Sequence, residues 1–263
     1  MIKKILVFIL VLICVTETIY IVYWNKNFPN ELVYSCFWTQ YSAEYDALCY
    51  QAYNSAKKYI LSVKDNSKKQ AIILDIDETV LNNSPFEAAL VKEQRYNPVL
   101  FEKWCMKAQA KAVCGAVDFC NFVKDNNIEI FYISNRTKNV QGATIKNFKE
   151  LNFPYADEQH LFLRTEDNNN KKKRINEIIN MGYEIILYGE DNLSNLDTKI
   201  FDTDYNTRKQ WVESNKDKFG SYYLIIPNIM YGNVDKSVTR KYFALSKKDK
   251  YLFKKSALQT FNS

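Results

Sequence analysis

Residues 71–79 read Ala71-Ile72-Ile73-Leu74-Asp75-Ile76-Asp77-Glu78-Thr79. The four apolar residues at the start are too few for a helix, and an unbroken apolar run of this length predicts a strand buried on both faces. Two acids, Asp75 and Asp77, follow one residue apart where that strand ends. This stretch therefore predicts a buried strand that delivers paired carboxylates to its carboxyl end.

Further short apolar runs alternate with helical patterns along the chain. Four more strands are predicted, at 129–133, 161–163, 185–188 and 222–226. Helices are predicted at 41–63, 117–124, 138–151, 175–181 and 209–219, and the stretch 85–114 is predicted to be irregular after Pro85, then helical around 101–110. Strands that alternate with helices indicate an α/β fold, a Rossmann-like parallel sheet flanked by helices.

Polar residues stand at or just past the ends of three of these strands. They are Asp75, Ser134 and Asp191. In open parallel sheets ligands bind beyond the carboxyl ends of the strands. We therefore expect these three side chains to meet at one edge of the sheet.

Paired acids at such an edge can carry phosphoryl transfer. One carboxylate, Asp75, can attack phosphorus and form an aspartyl-phosphate. The second, Asp77, can protonate the leaving oxygen and then activate water. A hard cation with oxygen ligands would remove the repulsion between the nucleophile and the phosphoryl group, and Mg²⁺ suits this task, with Asp191 as a further ligand.

An Asp-x-Asp pair alone is more typical of a turn or a helix cap, but its context is specific. The run Asp75-Ile76-Asp77-Glu78-Thr79-Val80-Leu81-Asn82-Asn83-Ser84-Pro85 resembles the first motif of the class C bacterial acid phosphatases. These are exported lipoprotein phosphatases and 5′-nucleotidases of the haloacid dehalogenase superfamily. Ser134-Asn135-Arg136 resembles their second motif, and Asp191-Asn192-Leu193 their fourth. The similarity extends from about residue 37 to about residue 244.

The resemblance implies a role for each matching residue. Asp75 would be the nucleophile and a metal ligand, and Asp77 would be the general acid/base and a metal ligand through its backbone carbonyl. Ser134 and Asn135 would bind phosphate, together with Lys171, which matches the family's phosphate-binding lysine three residues before Arg174. Asp191 would be the remaining metal ligand. It also implies a small, mainly helical cap, which we expect from segments 30–66, 82–115 and the C-terminal segment of a domain spanning 25–263.

The chain departs from the family pattern around the fourth motif. Family members read Gly-Asp-Asn-Leu-Asp-Asp-Phe, whereas this chain reads Glu190-Asp191-Asn192-Leu193-Ser194-Asn195-Leu196. Glu190 either points away from the site or adds negative charge near the cation. Asn195 can still make hydrogen bonds but carries no charge. Loss of such a supporting acid typically weakens metal affinity about 10–100-fold.

Aromatic residues suggest the substrate. Tyr96 and Phe101 occupy positions after the first motif, and Tyr231 a position after the last strand, where family members stack a nucleobase. Stacking contributes about 1–3 kcal/mol per base and tolerates any base. The alternative is that Tyr96 and Phe101 belong to the core of the cap. His160, the single histidine, is predicted to be structural.

The N-terminus carries a targeting signal. Lys3 and Lys4 precede an apolar run from Ile5 to Val15 that resumes from Ile19 to Trp24. Segment 1–24 is therefore predicted to be a secretory signal or a membrane anchor that places the body in the periplasm or on the outer surface. Lipidation at Cys14 is an alternative, although Ile13 stands where a small residue is usual.

Bulk properties allow one sizeable globular domain in 263 residues, with a formal net charge of +6 that mildly favours anionic partners. The lysines are spread along the chain, so a nucleic acid polymer is not expected. Oligomeric state is not indicated. The predicted function is therefore an exported Mg²⁺-dependent acid phosphatase acting on small-molecule phosphomonoesters, including nucleoside 5′-monophosphates. The alternative is a catalytically weakened surface protein that binds nucleotides or other phosphorylated ligands.

Overall fold

The computed structural model of the protein describes residues 2–27, 31–93, 96–168, 170–197, 200, 203–239 and 242–260. The strands are β1 (Gln70–Leu74), β2 (Leu81–Asn82), β3 (Lys111–Ala112), β4 (Glu129–Thr137), β5 (Leu161–Arg164), β6 (Glu184–Glu190) and β7 (Tyr223–Ile225). The α-helices are α1 (Ile2–Asn27), α2 (Leu32–Tyr41), α3 (Ala43–Val63), α4 (Ser84–Glu93), α5 (Pro98–Met106), α6 (Ala116–Asp125), α7 (Gln141–Glu150), α8 (Lys171–Asn180), α9 (Leu193–Leu196), α10 (Tyr205–Ser214), α11 (Val234–Val238) and α12 (Lys247–Ala257). Short 3₁₀ helices cover Lys138–Val140, Lys216–Lys218 and Tyr242–Ala244.

Five strands form one parallel sheet in the order β5-β4-β1-β6-β7. The strand quoted first in the sequence is its centre, and all five of its residues are buried. Ile72 and Leu74 pack into the larger core cluster, whereas Ala71 and Ile73 pack with Ile178 on the other face. Because both faces are covered, β1 is apolar throughout, and the predicted α/β fold is confirmed.

The strand order reverses between β1 and β6, since the chain first builds β4 and β5 on one side and later β6 and β7 on the other. Asp75 directly follows β1, and Glu190 ends β6. The two strands approach closely here because Gly189 has no side chain. A Cβ at that position would lie 2.5 Å from Leu74 Cδ2. The reversal point is where doubly wound sheets bind ligands.

Helix α3 supports the loop after β1. Its N-cap is Ser42, whose hydroxyl accepts a hydrogen bond from the backbone N–H of Tyr45 at 3.2 Å. Further along the helix, the hydroxyl of Tyr53 donates to the backbone carbonyl of Thr79 at 2.5 Å. The helix predicted over 41–63 is thus confirmed, and it ties the acidic motif to the core.

The segment after the motif differs from the prediction. Pro85 was expected to mark a break, but it lies in the first turn of α4. Proline is tolerated there because its missing N–H would have no partner within the helix, so the predicted irregular stretch is wrong at this point. The helix predicted around 101–110 is present as α5. Strand β3 pairs with β2 in an antiparallel ribbon of two strands.

The basic run Lys171–Arg174 forms the first turn of α8, four residues earlier than the predicted helix start at Ile175. The side chain of Asn170 caps this turn by accepting a hydrogen bond from the N–H of Lys172 at 2.9 Å. Arg174 is buried, whereas Lys172 and Lys173 are exposed. The first and last cations of the turn therefore face inward, and the two between them face outward.

His160 directly precedes β5, which lies two strands away from β1 in the sheet. Its ring nitrogens lie 2.7 Å from carboxylate oxygens of Asp157 and Glu129, and its ring stacks on Phe131 with 5.4 Å between centroids. This packing agrees with the predicted structural role. All six cysteines have free thiols.

Contacts divide the chain into two compact units. One contains α1 and α12, and within it Lys254 pairs with Glu31 at 2.5 Å. The other, Leu32–Val238, contains the sheet. Met1 and the side chains of residues 21–24 lie outside the described part of the predicted segment 1–24. Within the residues that are described, no helix has both the length and the apolar character that crossing a membrane requires.

Candidate active site

Asp75 is held at the end of β1 by its neighbours in the sheet. Its backbone N–H donates to the carbonyl of Gly189 at 2.9 Å, and its Oδ1 accepts from the N–H of Ile76 at 2.7 Å. Its Oδ2 lies 2.7 Å from Nζ of Lys171 and 3.4 Å from Nδ2 of Asn195. The carboxylate is therefore fixed, with one oxygen facing the amino group of Lys171.

Lys171 reaches this carboxylate from the first turn of α8. Its Nζ also lies 3.1 Å and 3.2 Å from the two carboxylate oxygens of Glu190. Burial alone would lower the pKa of Lys171, but the carboxylates of Asp75 and Glu190 raise it above its ordinary value. The ammonium thus stays charged beside the position that an incoming anion would take.

Three carboxylates, those of Asp75, Glu190 and Asp191, have oxygens within 4.8 Å of one another. Burial and the nearby charge of Asp75 raise the pKa of Asp191 to about 7, while Asn228 donates to its Oδ2 at 2.7 Å. Burial raises the pKa of Glu190 well above its usual range, although Lys171 acts in the opposite direction. An all-oxygen, acidic donor set of this kind fits a hard divalent cation, which would relieve the crowding of negative charge.

Asp77 points to the other side of the motif, towards β4. Its Oδ1 accepts from Arg136 Nε at 2.9 Å and Nη2 at 2.8 Å, and from Asn83 Nδ2 at 2.8 Å. Its Oδ2 accepts from the hydroxyl of Ser134 at 3.0 Å. Arg136 therefore forms an ion pair with Asp77.

Ser134 and Asn135 are fixed by the buried Arg174. Its Nη1 donates to the backbone carbonyl of Ser134 at 2.5 Å, and its Nη2 donates to Oδ1 of Asn135 at 3.0 Å. Ser134 is fully buried and Asn135 is exposed. A residue from α8 thereby sets the backbone at the point where phosphate binding was predicted.

A second pair of buried acids lies near Asp77. Glu78 has a positive φ of 55°, accepts from the N–H of Asn83 at 2.7 Å, and accepts a hydrogen bond from the hydroxyl of Tyr231. Burial, and then the charge of Asp77, raise the pKa of Glu78 well above its usual range and that of Glu87 to about 7. These two acids are therefore held largely protonated at mildly acidic pH.

The predicted aromatic residues fall into two places. Tyr96 and Phe101 are neighbours, with 6.2 Å between ring centroids, and both contact Phe86. Phe101 also lies 5.9 Å from the guanidinium carbon of Arg136. Tyr231 is engaged through its hydroxyl with Glu78, and 42% of the residue is exposed.

A cavity of about 740 Å³ opens beside Lys171. Asn135 and Asn195 contribute to its polar wall, and Ile175 and Tyr188 to its apolar wall. Its volume is within the range of small-molecule sites.

Four contributors were not singled out from the sequence, namely Asn83, Glu78, Glu87 and Asn228. Asn83 connects α5 to the acidic motif, because its Oδ1 accepts a hydrogen bond from Trp104 Nε1 at 2.8 Å while its Nδ2 donates one to Asp77. Its place in the polar run Asn82-Asn83-Ser84 is the available signal. Asn228 follows the last strand, which is a position where ligand-facing residues are expected.

Comparisons with known proteins agree with this geometry. The family model described as HAD superfamily, subfamily IIIB (acid phosphatase), matches residues 17–234. The structure is similar to that of the class C acid phosphatase from Bacillus anthracis, with 34% identity, a TM-score of 0.80, and coverage of 88% of this chain and 98% of that chain. The same Bacillus anthracis enzyme with tungstate bound matches with 34% identity, a TM-score of 0.78 and the same coverage, 88% and 98%.

The fold and the acidic edge of the sheet thus define a phosphohydrolase of the haloacid dehalogenase superfamily. Within it, the chain belongs to the subfamily IIIB acid phosphatases and is a phosphoric monoester hydrolase.

Proposed function

We propose that this protein is an exported, Mg²⁺-dependent acid phosphatase that hydrolyses phosphomonoesters through an aspartyl-phosphate on Asp75. The observation that carries the proposal is the placement of Asp75 beside the ammonium of Lys171 and the carboxylates of Glu190 and Asp191. A nucleophile, a positive charge and a cation-binding donor set stand at one sheet edge.

Mg²⁺ is the cation we propose, because every side-chain donor is a carboxylate oxygen, a ligand type that hard divalent cations prefer. We propose Asp75, Asp191 and the backbone carbonyl of Asp77 as its protein ligands. When bound, the ion would neutralise phosphoryl oxygens and so lower the repulsion between substrate and nucleophile.

In the first step an oxygen of Asp75 attacks phosphorus and the bond from phosphorus to the ester oxygen breaks. Asp77, as the acid, gives its proton to the departing alkoxide, and an alcohol leaves. In the second step the Asp77 carboxylate takes a proton from water, whose oxygen attacks phosphorus. The bond to Asp75 then breaks and inorganic phosphate is released. Because Asp77 must start protonated, activity should fall as the pH rises, and a flat rate from about pH 5 to about pH 9 would contradict this step.

We propose that Ser134, Asn135 and Lys171 bind the phosphoryl oxygens. Lys171 supports this most strongly, since its ammonium is charged and held at Asp75. Tungstate, bound in the related Bacillus anthracis structure, is an oxyanion like phosphate, which supports oxyanion binding by this chain. Arg174 would help by fixing the backbone of Ser134.

Nucleoside 5′-monophosphates are the proposed substrate class. The neighbouring rings of Tyr96 and Phe101 and the partly exposed ring of Tyr231 offer aromatic surface on which a base can stack. We assign the cap that carries the first two rings to segments 30–66 and 82–115 with the C-terminal segment. If stacking operates, Tyr96→Ala should raise KM for 5′-AMP more than KM for glycerol phosphate.

Export is proposed from the N-terminal sequence. Lys3 and Lys4 precede apolar side chains that are exposed along α1, as a targeting segment requires. Membrane association of this segment and a periplasmic or outer-surface location are part of this proposal.

The test is phosphate release from 5′-AMP and p-nitrophenyl phosphate by the purified full chain, with Mg²⁺ and with EDTA. Wild type should turn over both substrates only with the cation, and Asp75→Asn should lose activity by at least about a thousandfold. Equal activity in wild type and Asp75→Asn would contradict the proposed mechanism. Tight nucleotide binding without turnover would instead favour the alternative of a weakened ligand-binding surface protein.

A further inference from the structure

Glu190 is a buried acid that faces the catalytic edge. It ends β6, directly before Asp191, and only 2% of it is exposed. Its carboxylate contacts the ammonium of Lys171, and its Oε2 accepts from Nδ2 of Asn195 at 3.0 Å. Glu190 therefore points into the site and does not turn away from it.

The charges around Glu190 are not balanced. Among the described residues, the ammonium of Lys171 is shared between the carboxylates of Asp75 and Glu190, and Asp191 adds a third acid within the same 4.8 Å cluster. Buried carboxylates in excess of their cations are costly unless a further cation joins them. Glu190 thus raises the demand of this edge for a divalent ion.

Asn195 fits this arrangement because it is neutral. Its amide donates to both Asp75 Oδ2 and Glu190 Oε2, at 3.4 Å and 3.0 Å. An aspartate at the same place would present oxygens to both carboxylates and repel them. Glu190 and Asn195 are therefore matched, since the acid at the first position requires a donor at the second.

The related motif has the reverse assignment, with glycine before the first aspartate and an acid at the position of Asn195. We propose that Glu190 supplies the carboxylate that this chain lacks at position 195, so that it acts as a positioning residue for Lys171 and as part of the acidic set that holds the cation. This inference rests on the proposed Mg²⁺-dependent phosphatase function, which it deepens.

The test is a cycle of variants, Glu190→Gln, Asn195→Asp and the double variant, made in the full chain. Mg²⁺ affinity is measured by calorimetry without substrate, and the unfolding temperature is measured in EDTA. Glu184→Gln is the matched control, because Glu184 begins the same strand but pairs with Lys68 at the surface. Glu190→Gln should weaken Mg²⁺ binding about tenfold or more, and Glu184→Gln should not change it.

Asn195→Asp should lower the unfolding temperature in EDTA, because a fourth carboxylate joins the cluster, and Mg²⁺ should raise it again. The double variant should recover most of the Mg²⁺ affinity that Glu190→Gln loses. Two results would overturn the inference: Glu190→Gln binding Mg²⁺ as tightly as wild type, or a double variant as weak as Glu190→Gln. If Glu190→Gln fails to fold, the response of Asn195→Asp to EDTA and Mg²⁺ decides, and no response overturns the inference.

The proposed function fails differently. In that case wild type releases no phosphate, whatever the variants do in calorimetry. If only the present inference fails, wild type and Glu190→Gln both bind Mg²⁺ equally and both release phosphate.

Discussion

The two acids of the motif lie on opposite sides of β1, in contrasting surroundings. On the β6 side, Asp75 lies among further carboxylates that share the ammonium of Lys171. On the β4 side, Asp77 has its own guanidinium, that of Arg136, and its second oxygen accepts from Ser134. Asp75 thus lies in an excess of negative charge, whereas the charge of Asp77 is balanced by that of Arg136.

The difference separates two tasks. An edge with surplus negative charge attracts a cation, and the cation in turn admits a phosphate. A carboxylate held at several points by hydrogen bonds is placed for proton transfer to one side of a substrate. Metal should therefore offset the negative charge around Asp75 strongly, and it should hardly affect the carboxylate of Asp77, since only the backbone carbonyl of that residue is a proposed ligand.

The largest expected effect on stability is at the ion pair of Asp77 and Arg136. Arg136→Met would leave the Asp77 carboxylate, which is only 15% exposed, without its partner, and we expect a loss of about 3 kcal/mol in the free energy of unfolding. Urea unfolding measures this loss. The double variant Asp77→Asn/Arg136→Met should recover at least half of it, and Mg²⁺ should not. A single variant as stable as wild type would show that the pair is not a buried unit.

Lys171→Met tests the surroundings of Asp75, where negative charge is in excess. In EDTA the carboxylates of Asp75 and Glu190 lose their cation, so we expect a loss of about 3 kcal/mol. Saturating Mg²⁺ should remove much of that loss, because the ion replaces the missing positive charge. Urea unfolding in EDTA and in Mg²⁺ measures the loss of stability under each condition. An equal loss under the two conditions would mean that Lys171→Met does not differ from Arg136→Met in its response to the cation.

A pH-dependent effect is expected from Glu87. Burial, and then the charge of Asp77, raise its pKa from 4.5 to about 7, so the folded protein keeps a proton that the unfolded chain releases. Its contribution to stability is therefore fully present below pH 4.5 and is lost as the pH rises through about 7, a total of about 3 kcal/mol.

Glu87→Gln should flatten this dependence and stabilise the protein at pH 8 relative to wild type. Urea unfolding between pH 5 and pH 8 measures the slope. Glu158→Gln, at an exposed position, is the control. Asp191, whose pKa is also raised to about 7, will keep part of the slope in the variant. A slope as steep in Glu87→Gln as in wild type would contradict the assignment to Glu87.

The smallest effect is expected at the surface pair of Lys68 and Glu184, whose charged groups lie 2.9 Å apart at the far end of β6. Exposed pairs of this kind contribute little because water and salt screen them. Glu184→Gln should leave the unfolding midpoint unchanged within error. A loss comparable to that of Lys171→Met would mean that burial does not explain the contrast.

Much of the fold follows from local sequence. The apolar run before Asp75 had to be a strand with both faces covered, and alternating helices implied a parallel sheet. The strand order, with its reversal beside β1, came only from the structure. The helix start at Pro85 was missed because proline signals a break as readily as a first helical turn. Only the packing of α4 distinguishes the two.

The site was predictable to the same depth. The family resemblance implied Lys171 as the phosphate-binding lysine, and the structure brings its ammonium to Asp75. The orientation of Glu190 was not readable, because a strand end can turn its last side chain either way. Nor was the contact between Glu78 and Tyr231, whose positions in the chain are separated by most of the sheet.

The central claim is that Asp75 becomes phosphorylated. Asp77→Asn treated with p-nitrophenyl phosphate and Mg²⁺ should accumulate the intermediate, since this leaving group needs little acid assistance while hydrolysis still needs the base. Quenching, reduction with borohydride and mass spectrometry of peptides should then show homoserine at position 75 and no such product after Asp75→Asn. Unmodified Asp75 under these conditions, or modification at another residue, would contradict the account.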